Sequence, residues 1–594
     1  MNTLRVGWKQ SVIAFLWASL LLAVTLLCDN SLPEAHFTPK MHAFAFGGAA
    51  MTLGMLWLGF DRRLLFDVPA LAVTAFIFYL VLRGISCGES FYYLSYKFFA
   101  WFFFMSAHSL TGNERRLLDP AVAIVGAVQA VIVILQGLKL CGGYMTFGQP
   151  GMFDNPAGSA LCLAMALPFC LGMICNGGSL RSEESCRPSK RMRAAGYVCA
   201  ALILAGIVFT DSRAGFISAL ICVVAVMMAL KPALRSRRVI FLLAVAAVVV
   251  GTALFFYKKD SASGRVFIWR NTVEVSLERP LFGHGHRSFQ RVYMPQQAEF
   301  FAGHPESPAA GLSNDVFSPF SEFLRLLCEY GFTGLVLLAA AVFFLLREGR
   351  RRDFLSLLVV AVFVVFASVS YPLRYSYGYL VLLYVLSSFS GRALAALRRT
   401  PLVCATCSAL VVALLFPVLR DNCFRRDWKS VQDRYHADYV RLSESGGSAP
   451  HLDGKEIDDY MSLYVRHCYG NDFLYDFALK LMQHGKYEGS LSILEEFYLR
   501  GDEYVARMLS GADYQYLRNY DKAAEHYAVA HDMVPCRFLP LYFLMQCYDL
   551  SGDWPKALET AVRILEMPVK VPSKEVSTAQ SVARQVVAKY GGKE

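Results

Sequence analysis

Thirteen apolar runs of roughly membrane-spanning length crowd the first 419 residues, at 11–28, 42–60, 67–83, 92–110, 120–138, 157–176, 194–209, 214–230, 239–257, 330–346, 354–371, 378–391 and 401–419. A bilayer core takes about 20 mostly apolar helical residues per crossing, with short ones near 17. In lipid every backbone polar group must be satisfied within the segment, which leaves helices as the structure for such runs. The composition agrees: 55% of the 594 residues are hydrophobic, 18% are charged, and mean hydropathy is +0.39. Soluble domains carry nearer a quarter charged residues. A soluble enzyme, a disordered chain and a nucleic-acid-binding domain are excluded. The expected class is an all-α polytopic membrane protein with 12–13 transmembrane helices.

The charge of +11 is unevenly placed: from Arg420 onward 22 basic residues face 26 acidic ones, whereas the first 419 residues hold 36 against 21. Basic excess in an apolar region reads first as topology. With Arg5 and Lys9 cytoplasmic, every second loop is basic. These loops hold Arg62 and Arg63, then Arg115 and Arg116, then Arg181 to Arg193, then Lys231 to Arg238. Arg347 to Arg352 and Arg392 to Arg399 complete the series. The intervening short loops hold one each: Lys40, Arg83, Lys139, Arg213 and Arg374. This alternation places the N-terminus in the cytoplasm. It places the long loop 258–329 and everything after 419 on the far side, the periplasm of a bacterial inner membrane. The expected division is a membrane domain over 1–419, a linker over 420–450, and a periplasmic domain over 451–594.

The sixteen cysteines are too dilute for a disulfide framework, and many sit in apolar runs as small hydrophobes. Cys404 and Cys407 form a CxxC without a second pair or a nearby His, so packing explains them and no metal site is expected. The N-terminal apolar run lacks a small-residue cleavage site and reads as a retained first helix.

In the tail, Tyr487, Tyr520 and Trp554 each open a similar four-residue pattern, spaced by 33 and 34 residues, and Gly511 stands at a close-packing position. Such helix-turn-helix units resemble tetratricopeptide repeats. They predict an α-solenoid that either docks a protein or glycan partner or shields the membrane domain.

The long loop carries the richest polar chemistry. Arg265 and Trp269 form R-x-x-x-W, with Arg270 next. Pro280 to Gly285 read P-L-F-G-x-G. Ser313-Asn314-Asp315 lead into Ser318-Pro-Phe-Ser321-Glu322-Phe-Leu, then Glu329-Tyr330-Gly331. Upstream lie Gly151-Met-Phe-Asp-Asn155-Pro156 and Asp211-Ser-Arg213-Ala-Gly215. In order and spacing these resemble the O-antigen ligase and Wzy polymerase superfamily over roughly residues 145–345. The resemblance implies a GT-C-type membrane glycosyltransferase that needs neither metal nor nucleotide cofactor. It would take a glycan from undecaprenyl diphosphate and pass it to a hydroxyl on lipid A core, on a growing polysaccharide or on a protein.

Residue chemistry points the same way for the donor. Guanidinium groups stay protonated and bind phosphate in bidentate fashion. Arg213 and Arg265, at the outer ends of two expected spans, suit a departing diphosphate. The alternative for Arg213 is an interfacial anchor. Arg270 reads mostly as a solvated charge, Trp269 as a packing or interface anchor, and Asn155 as a turn residue before Pro156. Asn314 and Asp315 are candidates for substrate contact.

The family's His before N-E-F-L is Ser318 here, and its Asn is Ser321. A serine without a partner is no base near neutral pH. His304, His284 or His286 in the same loop, or the carboxylate of Asp315 or Glu322, are the alternatives. Loss of turnover is the third. Ligase, Wzy-type polymerase and protein O-oligosaccharyltransferase share these motifs; a non-catalytic scaffold for envelope glycan assembly is the competing class.

Overall fold

The computed structural model describes residues 8–58, 64–110, 112–143, 145, 148–174, 188–231, 236, 238–239, 256, 259–348, 354–397, 400–444, 454–466 and 470–591. The expected span at 239–257 lies, but for Val239 and Phe256, outside them, as do Arg5, Arg62, Arg63, Arg181, Arg187, Arg235, Arg237, Arg350 to Arg352, Arg398 and Arg399 of the charge pattern.

Each of the other twelve expected spans falls on a helix. These are α1 (Trp8–Leu26), α2 (Thr38–Trp57), α3 (Val68–Ser86), α4 (Phe91–His108), α5 (Gly112–Gly137), α6 (Pro156–Ile174), α7 (Lys190–Thr210) and α8 (Arg213–Leu230). After α9 (Lys259–Ser276) and α10 (Phe289–Gly303) come α11 (Glu322–Glu348), α12 (Phe354–Val369), α13 (Ser376–Leu386) and α14 (Pro401–Glu444). Among the described residues seven helices are long and apolar enough to cross a membrane, and α8, α12 and α13 are shorter apolar ones. The protein is thus an all-α polytopic membrane protein. One two-stranded antiparallel pair, β1 (Leu64–Asp67) with β2 (Ala393–Leu397), accompanies the helices.

Local chemistry sets the helix ends. Asp67, Ser189 and Ser212 cap α3, α7 and α8 by accepting from the backbone N–H groups of Ala70, Met192 and Gly215. Helix α6 is apolar on every side, and 78% of its apolar window is buried. A helix of that character belongs at the centre of a bundle. It packs against α5, α7, α8 and α12.

The chain divides into two compact units. The first holds residues 1–256, 320–326 and 332–429, and its core gathers Trp17, Phe103, Leu163, Phe366 and Tyr377. The second holds residues 257–319, 327–331 and 430–594. Besides α9 and α10 it contains α15 (Gly454–Tyr464), α16 (Asn471–Gln483), α17 (Tyr487–Arg500), α18 (Tyr504–Tyr516), α19 (Tyr520–Met533), α20 (Phe538–Ser551), α21 (Trp554–Glu566) and α22 (Lys574–Tyr590). Tyr487, Tyr520 and Trp554 each open the second helix of a consecutive pair. A Cβ on Gly511 would stand 2.6 Å from the Tyr527 ring, so glycine is what lets α18 and α19 approach.

Two features differ from the expected division. Residues 420–444, expected as linker, continue α14 as helix, with Arg425 paired to Asp421 one turn away at 2.8 Å. Residues 257–319, expected with the membrane domain, group with the tail. Gln297 on α10 donates to the carbonyls of Met533 (2.6 Å) and Asn314 (3.0 Å), and Arg537 donates to Asn314 Oδ1 at 3.1 Å.

Candidate functional site

In the first unit, the D-S-R-A-G motif is the whole turn between α7 and α8. Asp211 ends α7 in the left-handed region (φ 50°), Ser212 caps α8, and Arg213 is the first residue of α8. A chain reversal this tight holds Arg213 at a helix N-terminus, where the aligned N–H dipoles favour anions. The G-M-F-D-N-P strap lies against the same turn: Gln149 N–H donates to the Phe209 carbonyl at 2.9 Å. Gln136 of α5 grips the strap at both polar groups of Gly151, accepting from its N–H at 2.7 Å and donating to its carbonyl at 3.0 Å. Asn155 Oδ1 accepts from Ala157 N–H at 2.9 Å, a turn-and-cap role at the start of α6.

Asp154 of that strap meets Arg374 at 3.1 Å, and Arg374 also faces Glu34 at 3.8 Å and lies over the Phe37 ring. Lys40 is buried and donates to the carbonyls of Leu27 (2.9 Å), His36 (2.6 Å) and Met152 (2.6 Å). Glu322, the first residue of α11, accepts from Leu373 N–H at 2.9 Å and pairs with Arg325 at 2.6 Å. The stretch Tyr371–Tyr375 thus joins the strap to the start of α11. Sequence reading gave Arg374 and Lys40 only as one cation per outer loop. The flanking Tyr371 and Tyr375 were the available signal that this loop is more than a connector.

In the second unit, the P-L-F-G-x-G and E-Y-G motifs lie backbone to backbone. His284 N–H donates to Cys328 O and Gly285 N–H to Glu329 O, both at 2.9 Å. Gly283 (φ 67°) and Gly331 (φ 67°) are where the strands of chain touch. A Cβ on Gly283 would lie 2.5 Å from Tyr330 N, and one on Gly331 would lie 2.5 Å from Leu281 C. Only glycine fits either place. The contact delivers His286 to Glu329 and Tyr330: its Nδ1 is 2.8 Å from the Tyr330 hydroxyl and 3.6 Å from the Glu329 carboxylate.

The other imidazoles are placed differently. His284 is buried, with Nε2 donating to the Val275 carbonyl at 3.0 Å. His304 is exposed at the end of α10, its Nδ1 donating to Phe300 O at 3.0 Å and its ring stacked on Phe300. Arg265 lies on α9, half-buried. Trp269, one turn on, donates from Nε1 to the Pro319 carbonyl at 2.9 Å and so fixes the buried Ser318-Pro319 segment. Arg270 pairs with Glu274 at 3.1 Å on an exposed face. Asn314 and Asp315 face tail residues: Arg537 reaches Asn314, and burial pushes the Asp315 carboxyl up against the opposing pull of Gln290 and Arg537. Among the described residues no three His, Cys, Asp or Glu side chains form a group able to hold a metal ion.

Residues 198–339 match the family model described as O-antigen ligase, Wzy_C. That segment is therefore similar to the O-antigen ligase family, over about a quarter of the chain. No curated protein and no solved structure gives a significant match. The matched segment takes in Arg213, Arg265, Trp269, His286, Ser318 and Glu322, together with both glycine motifs. The strap with Asp154 and Asn155, the Arg374 turn and the tail lie beyond it.

Proposed function

We propose that this protein transfers an oligosaccharide or polysaccharide from undecaprenyl diphosphate to an acceptor hydroxyl at the periplasmic face of a bacterial inner membrane, as an O-antigen ligase-like enzyme. The observation that carries the reading is the family match over 198–339, which contains both arginines set aside for the donor. In the reaction the acceptor oxygen bonds to the anomeric carbon. The carbon–oxygen bond to phosphate breaks, and the diphosphate leaves with the electron pair. Arg213 and Arg265 are each assigned to phosphate by their chemistry and by the family's sequence pattern; a preorganised guanidinium beside the growing charge is worth on the order of 10²–10³ in rate.

With Ser318 in place of the family His, we assign the acceptor's proton to His286. Its Nδ1 lies 2.8 Å from the Tyr330 hydroxyl and 3.6 Å from the Glu329 carboxylate, partners that hold the imidazole in one orientation. His304 has no carboxylate among its contacts given above, Asp315 is turned to the tail, and Glu322 holds Arg325 and Leu373. The tail, as a tetratricopeptide-like array, takes a protein partner.

The test is purified full-length protein with undecaprenyl-diphosphate glycan and candidate acceptors. Wild type is expected to release undecaprenyl diphosphate and extend the acceptor. R213A and R265A are expected to lose transfer by about 10²-fold or more. Wild-type transfer by both variants, or accumulation of no product with any acceptor, refutes the reading. Products longer by single repeat units assign polymerase instead of ligase.

A further inference from the structure

The first unit contains a cavity of about 110 Å³ at the far ends of α5 and α6 from the strap. The first turns of α5 and α12 and the last turns of α4 and α13 enclose it, with Pro168 and Phe169 of α6 as an apolar wall. Its polar lining includes Arg115, Arg116, Asp119, Ser356, Ser388 and Ser390, with His108, Tyr384 and Ser387 beside them.

The electrostatics of this lining favour an anion. The last carbonyls of α4 and α13 would be a negative wall, but Arg115 covers them. It donates to Ala107 O (2.6 Å), Tyr384 O (2.9 Å) and Ser387 O (2.9 Å). His108 adds a contact to the Ser387 carbonyl at 3.0 Å and faces the buried Asp67 at 3.1 Å. Asp119, the acid in the wall, accepts from the Tyr384 hydroxyl at 2.8 Å. What lines the cavity is therefore two guanidinium groups, one engaged carboxylate, four serines, His108, Tyr384 and the N-terminal ends of two helices. Helix N-termini are the positive ends. Size agrees: a water needs roughly 10–15 Å³ of such space, so the cavity has room for a phosphate group and the start of its glycerol.

We propose that this cavity binds the phosphate of an anionic phospholipid headgroup, with glycerol along Phe169 and Val359. The charge alternation puts this end of the helices at the cytoplasmic leaflet, where acidic lipids gather and basic pockets between helices take their headgroups. The site is independent of glycan transfer.

Purified full chain, delipidated in detergent, is titrated with dioctanoyl phosphatidylglycerol, dioctanoyl phosphatidylcholine and inorganic phosphate, with retained ligand read by native mass spectrometry and melting temperature. Saturable phosphatidylglycerol binding and a rise in melting temperature are expected. R116Q and S356L should each weaken it about 10-fold or more, the loss of one charge-assisted hydrogen bond or of the space. Competition by inorganic phosphate would show that the phosphate group alone is read; no competition would assign the site to lipid. If R116Q fails to fold, S356L, which fills the cavity and leaves the charges, decides. Equal binding of phosphatidylcholine, or wild-type phosphatidylglycerol binding in the folded variants, overturns the proposal.

Discussion

Asp513 is a fully buried carboxyl in α18, with the Ser490 hydroxyl beside it as the compensating group. Burial raises its pKa from 3.8 to about 7. At 1.36 kcal/mol per tenfold change, holding the ionised form there costs about 4 kcal/mol above pH 7. The sign follows from proton counting. Between 3.8 and about 7 the folded state keeps a proton that the unfolded state has lost. Stability of the tail therefore falls as pH rises through that window and is flat above it. Asp513→Asn removes the ionisation and keeps the shape. It should stabilise α18 and α19 by up to about 4 kcal/mol at pH 8 and by little at pH 4, since the buried amide has its own cost. The assay is hydrogen exchange of residues 504–533 in the full-length protein in detergent. Protection at pH 8 should rise by up to ~10³-fold in the variant. Glu503, pushed up to about 7 by burial and by Asp315, Asp472 and Asp502, titrates in the same window, so Glu503→Gln is measured alongside. Equal destabilisation of Asp513→Asn at both pH values would show an ionised, well-partnered Asp513 and refute the reasoning.

The glycine contact and Arg374 give the remaining predictions. Gly331→Ala places a side chain at φ 67°, ψ −170° and into the Leu281 backbone, and Gly283→Ala into that of Tyr330; each should cost on the order of 3–5 kcal/mol, read as a lowered melting temperature and as protease sensitivity within 278–331. Arg374→Gln should cost at most about 1 kcal/mol of stability, because its pair with Asp154 is partly exposed. Thermal melting of the folded variant checks it; a loss well above that would show the pair to be worth more than a partly exposed one.

What the sequence disclosed tracks how local each cause is. The spans were legible because a bilayer demands some 20 apolar residues in a row, a requirement met by consecutive positions. The place of Arg213 at a helix end was legible because it depends on the two residues before it, Asp211 and Ser212, and Asn155 could be read as a turn residue because its partner, Ala157, is two positions on. Arg374 was not, since its partner Asp154 lies 220 positions earlier and a lone cation in a short loop looks like topology. The pairing of His286 with Tyr330 crosses 44 positions and depends on two glycines admitting backbone to backbone; the motifs carrying those glycines were visible, but not that they touch. That the helix continues past 420 was hidden for another reason. Composition changes there from apolar to charged, yet the helical period runs on to Glu444, with Arg425 reaching back to Asp421. Composition reports which solvent a segment meets, whereas backbone hydrogen bonding decides whether the helix stops. The loop's association with the tail was hidden likewise: Asn314 and Asp315 resemble substrate contacts in sequence, yet Arg537 faces both, and Gln297 beside them reaches Met533 far along the chain.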